Sequence, residues 1–131
     1  MTENIQTVKG SYGDSDEPTT EIPMRIISKR KELKDMAGDR SVKSVHMAFR
    51  PSNVDVLMMV KKFPNVQLIQ LPKSYKSTLA KSMEMYLADQ NIMLIQGDVW
   101  GHRKDISEWV SIKIPIAMLE EARSKLNDSV G

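Results

Sequence analysis

The chain has 131 residues, 40% of them hydrophobic and 27% charged, which is enough for one folded domain with a core and too little for two. Cysteine is absent, which excludes disulfides, zinc–thiolate sites and a thiol nucleophile. Because no apolar run approaches the ~20 residues that span a bilayer, and no signal peptide is visible at the N-terminus, we expect a cytoplasmic protein without membrane contact.

Charge is distributed unevenly along the chain. Residues 1–23 carry five acidic side chains and one lysine, a net charge of −4, so that +6 remains on residues 24–131 when the total is +2. The acidic segment is polar, aperiodic and rich in glycine and proline, which is typical of disorder. We therefore predict a disordered N-terminal extension over residues 1–23 and a single α/β domain over residues 24–131.

Short apolar runs and longer amphipathic runs alternate through this domain. The apolar runs predict strands at 25–27, 45–49, 66–70, 92–96 and 110–114. The amphipathic runs predict helices at about 29–37, 53–62, 72–89 and 115–127. Ser28 and Ser52 are expected to cap the first two helices. The second helix is expected to bury its apolar side chains, namely Val54, Leu57, Met58 and Val60.

Three strand–turn segments within residues 45–100 resemble one another. Val45 and Val66 are 21 residues apart, and Leu68-Ile69-Gln70 returns as Leu94-Ile95-Gln96. A tandem strand–turn–helix unit of this length predicts a parallel sheet. The predicted fold is a compact, mostly parallel α/β sheet built from βα repeats and closed by a C-terminal βα unit. A leucine-rich-repeat-like stack, with every helix on one face, is the alternative.

The predicted parallel sheet would bring several cations and hydroxyls to one edge, where open α/β sheets bind ligands. Arg50, Ser52, Lys73 and Ser74 follow two of the strands, and both serines lie at predicted helix N-termini, which attract anions. This arrangement predicts a phosphate or carboxylate site. The competing interpretation is that the serines only cap helices and the lysines are solvated, since the chain has no glycine-rich phosphate loop.

The segment GDVWGHRKD follows the fourth predicted strand and has the composition of a loop, with two glycines and five charged or ionisable residues. Trp100 is suited to stacking on a base or anchoring a partner, and Arg103 and Lys104 add positive charge. Asp98 and His102 are candidate acid–base groups, although these residues are too common to predict a metal site. His46, flanked by apolar residues within a strand, is interpreted as a core or edge histidine with its hydrogen bonds satisfied, and not as a ligand-binding residue.

Three strings of sequence, AFRPSN at 48–53, LPKSY at 71–75 and above all GDVWGHRKDI at 97–106, resemble a family of small proteins from methanogenic archaea. The family is known mainly as a domain of unknown function. The likeness covers residues 24 to about 114, and the family's usual start corresponds to Met24. The resemblance implies an archaeal, cytoplasmic protein, and it implies no activity, cofactor or catalytic residue.

Three functions are consistent with these observations. The favoured one is a non-enzymatic binding module that holds an anionic group, such as an RNA or nucleotide phosphate, at the carboxyl edge of its sheet. The second is an accessory or regulatory subunit of a larger methanogen enzyme complex. The third is a small hydrolase or transferase that uses Asp98 and His102. No cofactor can be named from the sequence.

Overall fold

The computed structural model describes residues 6–8, 17–98 and 109–130, with side chains described for 17–98 and 109–126. Within these residues the strands are β1 Gln6–Val8, β2 Thr19–Ile27, β3 Ser44–Met47, β4 Leu68–Leu71, β5 Met93–Gln96 and β6 Trp109–Pro115. The helices are α1 Arg30–Asp35, α2 Asn53–Lys62, α3 Lys73–Ser77, α4 Lys81–Asp89 and α5 Ile116–Val130. All strands belong to one sheet with the order β1-β6-β2-β3-β4-β5.

The sheet is mostly parallel, as the sequence predicts, but it is mixed. Strands β2, β3, β4 and β5 lie side by side in chain order and run in the same direction. β6 runs antiparallel to β2, and β1 is parallel to β6. Because of this reversal Trp109, the first residue of β6, pairs with Arg25 near the carboxyl end of β2. The chain therefore leaves β5 and enters β6 at the same edge of the sheet.

Apolar side chains cover both faces of the sheet. On one face, Leu33 of α1, Met59 of α2 and Leu87 of α4 pack against strand residues such as Val45. On the other face, Ala122 of α5 packs in a second cluster with residues of β2, β4, β5 and β6. Helices α1, α2 and α4 thus lie on one face of the sheet, as the leucine-rich-repeat-like alternative predicts. Helix α5 covers the opposite face, as the compact α/β sheet predicts.

The prediction for the buried face of α2 is partly wrong. Val54 and Leu57, which were expected in the core, are exposed, and the fully buried positions are instead Val56 and Met59. The cause is a polar contact at the start of the helix. Asp55 is buried because its carboxylate is bound by Arg30, and this contact turns Val54 outward.

The single long helix predicted at 72–89 is two helices, α3 and α4, separated at residues 78–80. The hydroxyl of Thr78 donates to the carbonyl oxygens of Ser74 and Tyr75, at 3.1 and 3.3 Å. A side-chain hydroxyl that bonds to the preceding turn competes with the helical ladder. The apolar stripe continues across the break, since Leu79 at the junction is buried with residues of α4.

Two predicted boundaries near the N-terminus also differ from the structure. β2 begins at Thr19, so the expected domain start at Met24 falls inside a strand that pairs with β6 from Thr19 to Arg25. Ser28 is not the N-cap of α1, because the helix begins one residue later, after Lys29, without a side-chain capping bond. Within the extension predicted to be disordered, residues 6–8 form β1 and residues 19–23 belong to β2, and residues 1–5 and 9–16 lie outside the described part.

The two valines at the start of α2 provide a matched test of its buried face. Val56 is 2% exposed and Val54 is 64% exposed. We expect Val56→Ala to lower the free energy of unfolding by about 2–3 kcal/mol, from the lost apolar transfer and the cavity it leaves. Val54→Ala should change it by less than about 0.5 kcal/mol. Urea denaturation of both variants measures the difference, and equal losses would contradict this packing.

Candidate ligand site at the carboxyl edge of the sheet

The carboxyl ends of β3, β4 and β5 surround a cavity of about 560 Å³. Its position follows from the parallel pairing, because each of these strands delivers its following loop to the same edge. The described residues that line the cavity come from β3, from the loops after β3, β4 and β5, and from α3: His46, Ala48, Pro72, Lys73, Ser74, Tyr75, Ser77 and Asp98. Three of the predicted site residues, Lys73, Ser74 and Asp98, are therefore brought together.

Charges of both signs meet in this cavity. Lys73 and Ser74 are exposed at the start of α3, so the ammonium group and the hydroxyl are accessible to a ligand. Asp98, two residues after β5, is half-buried and lines the same cavity. A bare anion would be attracted by Lys73 and repelled by Asp98. The arrangement suits a ligand that has an anionic group at one end and hydrogen-bond donors at the other.

A buried polar pair lies between the cavity and the core. His46 of β3 and Gln70 of β4 are directly paired in the strand register, and His46 Nδ1 lies 2.7 Å from Gln70 Oε1. Because the amide oxygen only accepts, Nδ1 carries the proton and donates to it. Gln70 is fully buried, and His46 is 2% exposed and reaches the cavity wall. Such a pair holds the imidazole in one orientation and one tautomer.

Sequence reasoning missed His46 and Gln70 as site residues. Each is a polar residue inside an apolar strand, and this pattern was the available sequence signal. It indicates a site only when the strand register is known to place the two side chains next to each other. That register depends on the pairing of β3 with β4, which single-strand patterns do not report. The interpretation of His46 as a buried histidine agrees with its exposure, and its place in the cavity wall is an addition.

Arg50 and Ser52 lie near the same edge but are not among the described residues that line the cavity. The Arg50 guanidinium stacks 4.9 Å from the centre of the Tyr75 ring and donates to the hydroxyl of Thr78. Ser52 is the N-cap of α2, as predicted, and its hydroxyl oxygen accepts from the Asp55 backbone N–H at 3.2 Å. Both residues thus have structural partners that fix the loops around the cavity.

A bidentate ion pair holds the loop between β3 and α2. Arg30 Nε lies 3.0 and 2.9 Å from the two carboxylate oxygens of Asp55, which also accepts from the Ser52 backbone N–H at 2.8 Å. Burial by itself would raise the pKa of Asp55, but the hydrogen bonds from Arg30 and Ser52 outweigh it and hold that pKa below its ordinary value. The same contact raises the pKa of Arg30.

Several predicted site residues lie outside the described residues: Trp100, His102, Arg103 and Lys104. Their contribution to the cavity, and the pairing of Asp98 with His102 as catalytic groups, stay predictions. In the part of the chain that is described, no three His, Asp or Glu side chains are placed to hold a metal ion. No helix in that part is long and apolar enough to cross a membrane.

Comparison with known proteins places the chain in a family without assigning it a function. Residues 23–108 match the model of a family of unknown function (DUF1699), N-terminal domain, and the chain belongs to this family. No curated protein and no solved structure matches it. The resemblance to a domain of unknown function is confirmed at this level, and the archaeal and methanogen origin stays a prediction.

The matched region does not coincide with the physical unit of the fold. It ends at residue 108, immediately before β6. Yet β6 pairs with β2 along its whole length, from Trp109 to Pro115, and Val110, Ile112 and Ile114 are fully buried against the sheet. Residues 109–126 therefore supply much of the second core cluster.

The ion pair at Asp55 predicts a specific acid sensitivity. Since the folded pKa of Asp55 lies below its unfolded value of about 3.9, the carboxylate stabilises the fold above that pH and loses this effect as the pH falls through the folded pKa. Asp55→Asn should cost about 2 kcal/mol at neutral pH and show a shallower loss of stability below about pH 4. Urea denaturation across pH 7 to 3 measures both, and parallel curves for the two proteins would refute the assignment.

Proposed function

We propose that this chain is a non-enzymatic binding module that holds a nucleotide or a similar phosphorylated molecule in the cavity at the carboxyl edge. The observation that carries the proposal is the convergence of Lys73, Ser74 and Asp98, from the exits of two parallel strands, around one cavity. Its volume of about 560 Å³ is within the usual range for small-molecule sites. The proposal concerns a single nucleotide unit, free or at the end of an RNA.

The phosphate belongs at the α3 side of the cavity. There the ammonium of Lys73 supplies the charge, and the hydroxyls of Ser74 and Ser77 supply hydrogen-bond donors. Ser77 Oγ contacts the carbonyl oxygen of Ser74 at 3.0 Å in the described structure, so a ligand would have to compete for that donor. Lysine is a common phosphate-binding residue and acts as a point charge there.

Asp98 favours a nucleotide over a bare phosphate. Its carboxylate accepts hydrogen bonds and repels anions, which matches the hydroxyls of a ribose rather than a second phosphate. The half-exposed ring of Tyr75, braced by the Arg50 guanidinium, offers an aromatic surface beside the same cavity. A ligand with a phosphate, a sugar and a base would use all three features.

Two other functions stay predictions. A role as an accessory subunit of an enzyme complex needs a surface that binds another protein. A hydrolase or transferase role needs Asp98 and His102 within hydrogen-bonding reach of each other. A cytoplasmic location is expected from the composition, and an archaeal source from the family resemblance.

Calorimetric titration with AMP, adenosine and inorganic phosphate tests the proposed site. AMP should bind most tightly, because adenosine lacks the negative charge that Lys73 attracts and inorganic phosphate lacks the ribose hydroxyls that would donate to Asp98. We expect Lys73→Ala to weaken AMP binding about tenfold, the effect of one charge-assisted hydrogen bond. Raising the salt concentration should also weaken it, because the attraction at an exposed lysine is screened.

Lys61→Ala is the matched control, since Lys61 is an exposed lysine of α2 remote from the cavity lining. It should leave AMP affinity unchanged. Asp98→Asn should reduce the preference for AMP over phosphate while phosphate itself still binds. Equal AMP affinity in the Lys73→Ala and Lys61→Ala proteins, or no binding of any of the three probes, would rule out this function.

A further inference from the structure

A cavity of about 410 Å³ lies where α4 and α5 meet beyond the edge of β5. The two helices contact each other, and each of them also contacts β5, so helices cover the outer side of this last strand. The cavity is the space that remains between them, and its volume is within the usual range for small-molecule sites. Among the described residues, none that lines it also lines the carboxyl-edge cavity, so the two can be tested separately.

The interior of this cavity is apolar. α4, α5 and the β5 segment each contribute two apolar side chains to its lining: Met85, Ala88, Ile92, Leu94, Ala122 and Leu126. Ile92, Ala122 and Leu126 are buried, so the cavity extends inward to the core. Met85 is 64% exposed and marks the side on which the cavity opens to solvent. Because burial removes apolar surface from water, this interior favours an apolar group that is narrow enough to enter it.

Positive charge predominates around this apolar interior. Three lysines and one glutamate line the cavity: Lys76, Lys81, Lys125 and Glu84. Lys125 lies 3.7 Å from Glu121 on the surface of α5, whereas neither Lys76 nor Lys81 has an ion pair with another described residue. Cations at the opening of an apolar cavity attract an anionic group. The lining as a whole therefore suits a molecule with one apolar end and one anionic end.

We propose that this cavity binds a small amphipathic anion, namely an aliphatic chain that ends in a single carboxylate. The chain would lie against Leu94, between Met85 of α4 and Ala122 of α5, and the carboxylate would accept hydrogen bonds from Lys76 or Lys81. Lysine binds an anion as a point charge, and its flexible stem lets the ammonium follow the head group. A nucleotide suits this cavity less well, because no aromatic ring is among the described residues that line it.

Calorimetric titration with hexanoate, octanoate and decanoate, below their micelle concentrations, tests the proposed class of ligand. The affinity should increase about fourfold for each added CH₂ group until the cavity is filled. At equal chain length, octan-1-ol should bind more weakly than octanoate, and octylamine should bind most weakly because the lysines repel its charge. Equal affinities for the three acids, or no binding of any of them, would contradict the proposal.

Two alanine-to-leucine variants test whether the chain enters this cavity. Ala88→Leu adds bulk to the lining and should weaken octanoate binding at least about tenfold, the equivalent of about two CH₂ groups left unburied. Ala117→Leu makes the same change at an exposed position of α5 that does not line the cavity and should leave the affinity unchanged. Thermal denaturation verifies that both variants fold. In the unaltered protein, octanoate should also shift the methyl NMR signal of Met85, and an unmoved signal would place the binding elsewhere.

The charge requirement has its own matched pair. Lys81→Glu should weaken octanoate binding about tenfold and leave octan-1-ol binding unchanged, whereas Lys61→Glu on α2 makes the same change of charge elsewhere and should alter neither. The proposal is overturned if the two variants bind octanoate equally well. Sedimentation velocity identifies the competing occupant. A dimer that Ala88→Leu disrupts would show that a second copy of this chain fills the cavity, and it would likewise overturn the proposal.

Discussion

The parallel pairing of β2, β3, β4 and β5 in chain order is the constraint on which the rest of this molecule depends. Because each strand runs in the same direction, every connection must cross back over the sheet, and α1, α2 and α4 occupy one face in doing so. The same constraint delivers Ala48, Pro72 and Asp98 to one edge, where they border a common cavity. A meander of antiparallel strands would place these exits at alternating edges and leave no such cavity.

Long side-chain contacts hold the crossovers in place. Lys62 at the end of α2 donates to the carbonyl oxygens of Leu33, Lys34 and Met36, at 2.6 to 2.8 Å, and so closes the last turn of α1. At the other end of α2, the Arg30 guanidinium donates hydrogen bonds to the buried carboxylate of Asp55. The two helices are thus tied together at both ends by polar groups, while Leu33 and Met59 pack in the same core cluster. These ties fix the loop that carries Arg50 beside Tyr75.

The sequence predicts the helices and strands better than it predicts the contacts between them. Local signals were sufficient for β3, β4, β5 and β6 and for Ser52 as a cap, because apolar runs and capping residues act within a few positions. They missed β1 and the part of β2 before Arg25. They failed for Val54, whose orientation depends on an ion pair between residues 25 positions apart, and for the pairing of His46 with Gln70, which depends on register. The edge cavity was predicted from strand direction, yet Arg50, expected to line it, is engaged by Tyr75 and Thr78.

The short helix α3 carries most of the proposed site, and contacts with the rest of the fold hold it in position. Lys73, Ser74 and Ser77 of this helix border the carboxyl-edge cavity. Tyr75, which lies between them in sequence, packs against the larger core cluster and stacks with the Arg50 guanidinium. Because Arg50 also donates to Thr78 just after α3, the loop after β3 and the helix after β4 are joined by side chains. The position of Lys73 therefore depends on the parallel pairing of β3 with β4, which brings both segments to the same edge.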